Sequence, residues 1–194
     1  MKQLSLLLIA FFCLNPAFAA ESAYTKLDLD KDCTWHSEYE LGASAYCQGY
    51  KGYPVHFSEG DLRQMVRFGY PASLLGQWES FEQFNRISDT IEWRLKNAKP
   101  YAAILRMFIE NPDDDGNMSK ASEGQVLVVS KVASHEFPTS CVIGYVDAKA
   151  NRNANELARQ IADELAFSFK CTEDKAQYKG NVGPYAGTPV SYFE

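Results

Sequence analysis

The stretch QVLVVSKVASHEFPTSCVIGYVDA, residues 125–148, contains two apolar runs separated by a polar link that includes Pro138. Two similar runs precede it, TIEWRL at 90–95 and YAAILRMFIE at 101–110. Short apolar runs bounded by polar, glycine- or proline-containing links are typical of β-strands. Together the four runs predict an antiparallel meander.

The segment DAKANRNANELAR, residues 147–159, leads from the last run into an amphipathic helix. Between Asn153 and Lys170, apolar residues recur along one face: Ala154, Ala158, Ile161, Leu165 and Phe169. Such a face must cover an apolar surface, and the meander is adjacent. We expect Asn153 to cap the helix by accepting from a backbone N–H, while Glu156 reaches back. The predicted fold class is therefore α+β, an antiparallel β-meander covered by a C-terminal amphipathic helix.

Three segments before the meander have weaker patterns. YCQGYKGYPVHF, residues 46–57, predicts a hairpin, with Pro54 restricting the second arm to a sheet edge. SEGDLRQMVRFG, residues 58–69, has helical spacing after a weak capping box, although the same residues could alternate as a strand. SLLGQWESFEQFNR, residues 73–86, predicts a second short helix.

The first twenty residues, MKQLSLLLIAFFCLNPAFAA, have the pattern of a secretory signal, with a small-x-small cleavage site ending at Ala19. Their apolar part is shorter than the roughly 20 residues that a membrane span needs. We therefore expect a signal peptide at 1–19, a single α+β domain at 20–171 and an extended C-terminal tail at 172–194. The protein should be periplasmic or secreted, with no membrane span in the mature chain.

Four cysteines remain after removal of the signal: Cys33, Cys47, Cys141 and Cys171. An even number in an exported chain predicts two disulfides. A strand from Cys141 to Asp147 spans roughly 20 Å, and a helix from Ala154 to Cys171 spans roughly 25 Å. If the chain turns back between them, the two cysteines return to the same end. This favours Cys141–Cys171, which leaves Cys33–Cys47 as the other pair.

The charge of the chain limits its partners. The formal net charge is −6, and it becomes −7 after removal of residues 1–19, which contain one lysine and no acid. An acidic chain without a long basic run argues against nucleic acid and anionic membrane as principal partners.

Two patterns could indicate a metal, and both have simpler explanations. NPDDDGN, residues 111–117, matches the first positions of a calcium loop, but its twelfth position is Ser122 and its flanks resemble strands, so an exposed acidic loop is favoured. His36 with Glu38 and Glu40 could line one side of a strand, but spacing alone fixes no ligand geometry. We predict no metal and no cofactor.

The tyrosine-rich hairpin is the candidate binding surface. Its residues Tyr46, Tyr50, Tyr53 and His56 could stack on a sugar or pack against a partner protein. A hydrolase would instead need Glu59 or Asp61 to meet His56 in a cleft. The sequence contains neither a Gly-x-Ser-x-Gly nor a His-Glu-x-x-His motif, and no catalytic residue is assigned.

Five segments together resemble a group of small exported bacterial proteins of uncharacterised activity: CQGYKGYPVHFSEGDLRQMVRFG, IEWRL, PYAAILRMF, QVLVVSKV and YVDAKANRNANELARQIAD. The resemblance implies export and a single α+β domain, and it carries no site residue over to this chain. We expect a non-enzymatic binding or envelope-associated protein whose partner is an envelope protein or glycan. The alternatives are a small hydrolase acting on envelope polymers and a calcium-stabilised domain.

Overall fold

A computed structural model describes residues 20–39, 42–72, 77–113 and 115–193. The protein is mostly β, with 51% of the described residues in strands and 9% helical. Its mixed sheet curls into a half-barrel, so the predicted α+β class with a covering helix is wrong. The predicted signal peptide at 1–19 and Glu40 of the possible metal group lie outside the described residues.

The sheet has ten strands in two layers, and two further strands form a small separate sheet. The long layer contains β1 (Glu21–Lys26), β7 (Asn85–Lys96), β8 (Lys99–Ile109), β9 (Gly124–Ala133), β10 (Val142–Asp147) and β11 (Gln177–Tyr178). The short layer contains β2 (Cys33–Tyr39), β3 (Gly42–Gln48), β4 (Pro54–Gly60) and β5 (Arg63–Gly69). The small sheet pairs β6 (Gln77–Phe81) with β12 (Pro189–Phe193), and the described helix is α1 (Ala154–Leu165).

Strand β9 connects the two layers because two different strands pair with one of its edges. Its first part pairs antiparallel with β10, and its last two residues pair parallel with the end of β5. Gly69 makes the second contact possible, since a Cβ there would lie 2.1 Å from the carbonyl oxygen of Ala133. The Ser140 hydroxyl, just before β10, links β9 to β5 by donating to the Lys131 carbonyl at 2.8 Å and accepting from the Phe68 N–H at 3.1 Å.

Strands β8 and β9 are buried on both faces. Ala103 and Leu105 point toward the short layer, whereas Ala102 and Ile104 point toward α1. Two-sided burial requires apolar residues at successive positions, which explains the continuous apolar runs in the sequence. Strands β7 to β10 pair antiparallel in chain order, as those runs predict, but they form only part of a mixed sheet.

Helix α1 packs against β8, β9 and β10 on one face of the long layer. Two ion pairs fasten it to β7: Arg159 with Glu92 at 2.7 Å, and Asp163 with Arg94 at 2.7 Å. In the described ranges, no helix has the length and apolarity needed to cross a membrane.

The predicted helix at 58–69 is wrong. These residues form the end of β4, a tight turn and β5, because Asp61 and Leu62 take positive φ values of 49° and 58°, as a two-residue hairpin requires. Met65 then points to one side of β5, whereas Phe68 enters the core on the other.

Of the other two early predictions, the helix is wrong and the hairpin is confirmed. The predicted helix at 73–86 is replaced by β6 and the start of β7 in its described part, since residues 73–76 lie outside it. The hairpin at 46–57 is confirmed, but Pro54 does not place β4 at an edge. Strand β4 lies between β3 and β5, and Pro54 occupies its first position, where a missing N–H is tolerated.

Both predicted disulfides are present. Cys33 and Cys47 face each other across β2 and β3, and their bond ties an outer strand to its neighbour. The Cys141–Cys171 bond joins the residue before β10 to the segment that follows α1, with 5.7 Å between the two Cα atoms. The chain therefore does return to the start of β10 after the helix.

The polar segment before α1 has a different role from the predicted cap. The Asn153 side chain makes no capping hydrogen bond, so that prediction is wrong. Asn151 is buried instead, and its amide donates to the carbonyls of Asp147 and Asn181 while accepting from the Asn181 N–H. The Asp147 carboxylate accepts from the Gly183 N–H. These bonds hold the C-terminal segment against the end of β10.

Replacing Asn151 with alanine should lower the free energy of unfolding by about 2–3 kcal/mol, because buried partners lose three hydrogen bonds. The matched change Asn153→Ala should alter it by less than about 0.5 kcal/mol, because that side chain is exposed and caps nothing. Urea unfolding of both variants measures the difference. A larger loss for Asn153→Ala would restore the capping interpretation.

Candidate functional site

The four predicted residues of the tyrosine-rich hairpin do not form one surface. Tyr46 and His56 are cross-strand neighbours with ring centroids 5.5 Å apart, and His36 extends their row at 6.4 Å from Tyr46. His56 donates to the Gly69 carbonyl at 3.1 Å, and burial lowers the pKa of its imidazole.

Tyr50 and Tyr53 lie elsewhere. Tyr50 packs toward the core beside Trp93, with 6.4 Å between the ring centroids. Tyr53 lies 5.6 Å from Tyr70, measured between ring centroids, and contributes to a cavity near the end of α1. Of the four predicted residues, Tyr53 is therefore one that lines a concave site.

The residues considered for hydrolysis do not converge. His56 and Glu59 are separated by an odd number of positions on β4, so they project to opposite faces of the strand. Glu59 accepts from the Gln64 side chain, and Asp61 pairs with Arg63 in the following turn.

The acidic loop at 111–117 is closed by its own hydrogen bonds. The Asp113 carboxylate accepts from the N–H groups of Asp115 and Asn117, and the buried Asn111 amide donates to the Tyr185 carbonyl. Across the described ranges, no group of three or more His, Cys, Asp or Glu residues is placed to hold a metal ion.

A cavity of about 290 Å³ lies between the β7–β8 turn, the β9–β10 link and the segment after α1. We call it the lysine pocket. Its charged lining residues are Lys96, Lys99, Lys131 and Glu136, and its aromatic ones are Tyr53, Tyr101, Phe137 and Phe167. The pocket is thus locally basic in an acidic protein.

Lys131 is the buried cation of this pocket. Its residue is 6% exposed, and its ammonium donates to the Phe169 carbonyl at 3.0 Å and lies 4.9 Å from the centroid of the Phe137 ring. Burial lowers the pKa of Lys131. The ion pairs of the described residues do not include it. The carbonyl end of α1 is near and offers a partial negative charge, but not a full one.

Phe167 forms an aromatic wall of the same pocket. It is 44% exposed, and its ring centroid lies 4.9 Å from that of Tyr101 and 5.0 Å from the Lys96 ammonium. The exposed part of this ring can receive a flat or apolar group. The pocket therefore combines a buried ammonium with aromatic walls.

One feature of the sequence indicates this site, although an analysis of strand and helix periods does not detect it. Lys131 interrupts the apolar run QVLVVSKVA, where a strand buried on both faces leaves no solvent for a charge. Phe137 lies in the polar link between two apolar runs, and Phe167 lies in the predicted helix but off its apolar face, so nothing in the sequence placed them beside Lys131.

A comparison of the chain with protein-family models, curated proteins and solved structures finds no match.

Lys131→Met should raise the free energy of unfolding by about 1 kcal/mol at pH 7, because a buried charge without a full counter-charge is replaced by an apolar chain of similar length. The pKa of Lys131 is lower in the folded state than in the unfolded state. As the pH rises toward the unfolded-state pKa, the folded wild-type protein loses this buried charge and its free energy of unfolding increases. The gain should therefore shrink between pH 7 and pH 10. Thermal unfolding across this range tests it, and a loss of stability at pH 7 would contradict it.

Proposed function

We propose that this protein is an exported, non-enzymatic binding protein that holds an anionic group with a ring-shaped or apolar body in the lysine pocket. Export is supported by the two disulfides, which are typical of periplasmic and extracellular proteins. The partner that we infer is an envelope component, and an acidic sugar of an envelope glycan has the required chemistry.

The ammonium of Lys131 is the observation that carries this proposal. A buried cation is normally paired with a carboxylate, because removal from water is costly without a counter-charge. Lys131 has a backbone carbonyl and an aromatic ring as neighbours, and its ammonium has three N–H groups to donate. A ligand carboxylate or phosphate would supply the missing charge.

The other residues of the pocket favour an anion with a body of modest size. Lys96 and Lys99 add positive charge at the rim, against the single acidic side chain of Glu136. Phe167, which is 44% exposed, offers ring surface on which a sugar or another flat group can pack. A cavity of about 290 Å³ is close to the lower limit for small-molecule sites.

Binding is favoured over hydrolysis because the groups that hydrolysis would use are dispersed. His56 faces away from Glu59, and Asp61 is paired within a turn. The lysine pocket itself presents cations and rings, which suit recognition of a negative charge, but it contains one carboxylic acid where glycoside hydrolysis needs two.

Calorimetric titration with glucuronate and benzoate tests the proposal, with glucose and benzamide as their uncharged counterparts. We expect the anions to bind with dissociation constants of about 1 mM or lower and the uncharged compounds to bind at least about tenfold more weakly, since one charge-assisted hydrogen bond is lost. Lys131→Met should weaken binding of the anions by at least about tenfold for the same reason.

Lys120→Met is the matched control, because Lys120 is exposed and lies in the loop after β8, away from the pocket. It removes one positive charge from the protein and should leave the affinities unchanged. Equal affinity for glucuronate and glucose, or unchanged anion binding by Lys131→Met, would overturn the proposal.

A further inference from the structure

A second cavity lies farther along the segment that follows α1. It has a volume of about 360 Å³ and is bounded by β10, β12 and residues 171–177. Glu79 of β6 forms part of its wall although that residue is only 6% exposed. We call it the Glu79 cavity.

Burial and two neighbouring groups determine the state of the Glu79 carboxyl. One carboxylate oxygen accepts from the Val142 N–H at 3.0 Å, which anchors the side chain at the start of β10. Burial raises the pKa of Glu79 to about 7, and the opposing effects of that N–H and of the Arg67 charge are smaller. The hydroxyl-bearing ring of Tyr145 lies in the same wall.

The charges that line this cavity have the opposite sign to those of the lysine pocket. Glu173 and Asp174 belong to the segment that follows Cys171, and Lys175 comes directly after them. With Glu79 ionised, three carboxylates and one ammonium belong to the lining residues, and the Glu173 carboxylate is also paired with Lys170 at 2.8 Å. Arg67 approaches from β5, but its guanidinium donates to the Gln77 carbonyl and the Met65 sulfur rather than lining the cavity.

We propose that the Glu79 cavity binds a small primary amine in its ammonium form, with the Glu79 carboxylate as the counter-charge. The ammonium replaces the solvation that burial removes from the carboxylate, so binding and ionisation of Glu79 favour each other. This site is independent of the lysine pocket and of the function proposed for it.

The size and the donor set of the cavity select this ligand over other cations. A volume of about 360 Å³ is near the lower limit for small-molecule sites, so it suits a compact amine. Ca²⁺ takes six to eight oxygen ligands, and within the described ranges no group of three or more His, Cys, Asp or Glu is placed to hold a metal ion.

Titration with benzylamine at pH 8, with benzyl alcohol as the uncharged probe of the same shape, tests the proposal. We expect benzylamine to bind at least about tenfold more tightly than benzyl alcohol. Glu79→Gln keeps the shape and an oxygen acceptor for the Val142 N–H but removes the charge, and it should weaken benzylamine binding by about tenfold or more. Glu82→Gln, on the exposed residue just after β6, is the control and should change nothing.

The pH dependence provides a second measurement that does not depend on a variant. Benzylamine affinity should fall between pH 8 and pH 6 as Glu79 takes up a proton, and carboxyl NMR should show the pKa of Glu79 moving below 7 when benzylamine is added. Equal binding of benzylamine and benzyl alcohol, or a Glu79 resonance that benzylamine does not move, would overturn the proposal even if Glu79→Gln failed to fold.

Discussion

The division of one edge of β9 between β5 and β10 is the constraint on which the rest of the structure depends. Two strands cannot occupy the same edge at the same height, so β10 takes the first part of β9 and β5 takes its last two residues. The hydroxyl of Ser140 bridges the junction. The short layer must then fold over one face of the long layer, which leaves the opposite face to α1. This arrangement creates the openings in which both cavities lie.

The Cys141–Cys171 disulfide anchors the segment that follows α1, and this segment lines both cavities. The bond holds this segment at the start of β10, where residues 166–167 line the lysine pocket and residues 171–177 line the Glu79 cavity. Lys131 donates to the carbonyl of Phe169 in this segment, and its backbone N–H donates to the carbonyl of Cys141. A buried ammonium and a buried carboxyl thus line two cavities along one covalently anchored segment. Both reduce stability when unpaired, as binding residues often do.

Local sequence patterns predicted the parts of the fold that depend on local contacts. The strands β7 to β10, the hairpin of β3 and β4 and both disulfides follow from apolar runs, turn residues and chain lengths. Residues 58–69 were misassigned because Leu62, Met65 and Val66 fit both a helical and a strand period, and the turn at Asp61–Leu62 lacks the usual glycine. The pairing of β6 with β12 joins segments about a hundred positions apart, which no local pattern encodes. Lys131 and Glu79 were missed for the same reason, since their neighbours come from distant segments.

The most direct test of the central claim is an NMR titration of the Lys131 ammonium in the presence and absence of glucuronate. We expect this ammonium to lose its proton at a pH below the ordinary lysine value of 10.5. We also expect glucuronate to raise the pKa of Lys131, since an anion in the pocket stabilises the charged form. A Lys131 ammonium that titrates at the ordinary value and does not respond to glucuronate would contradict the account.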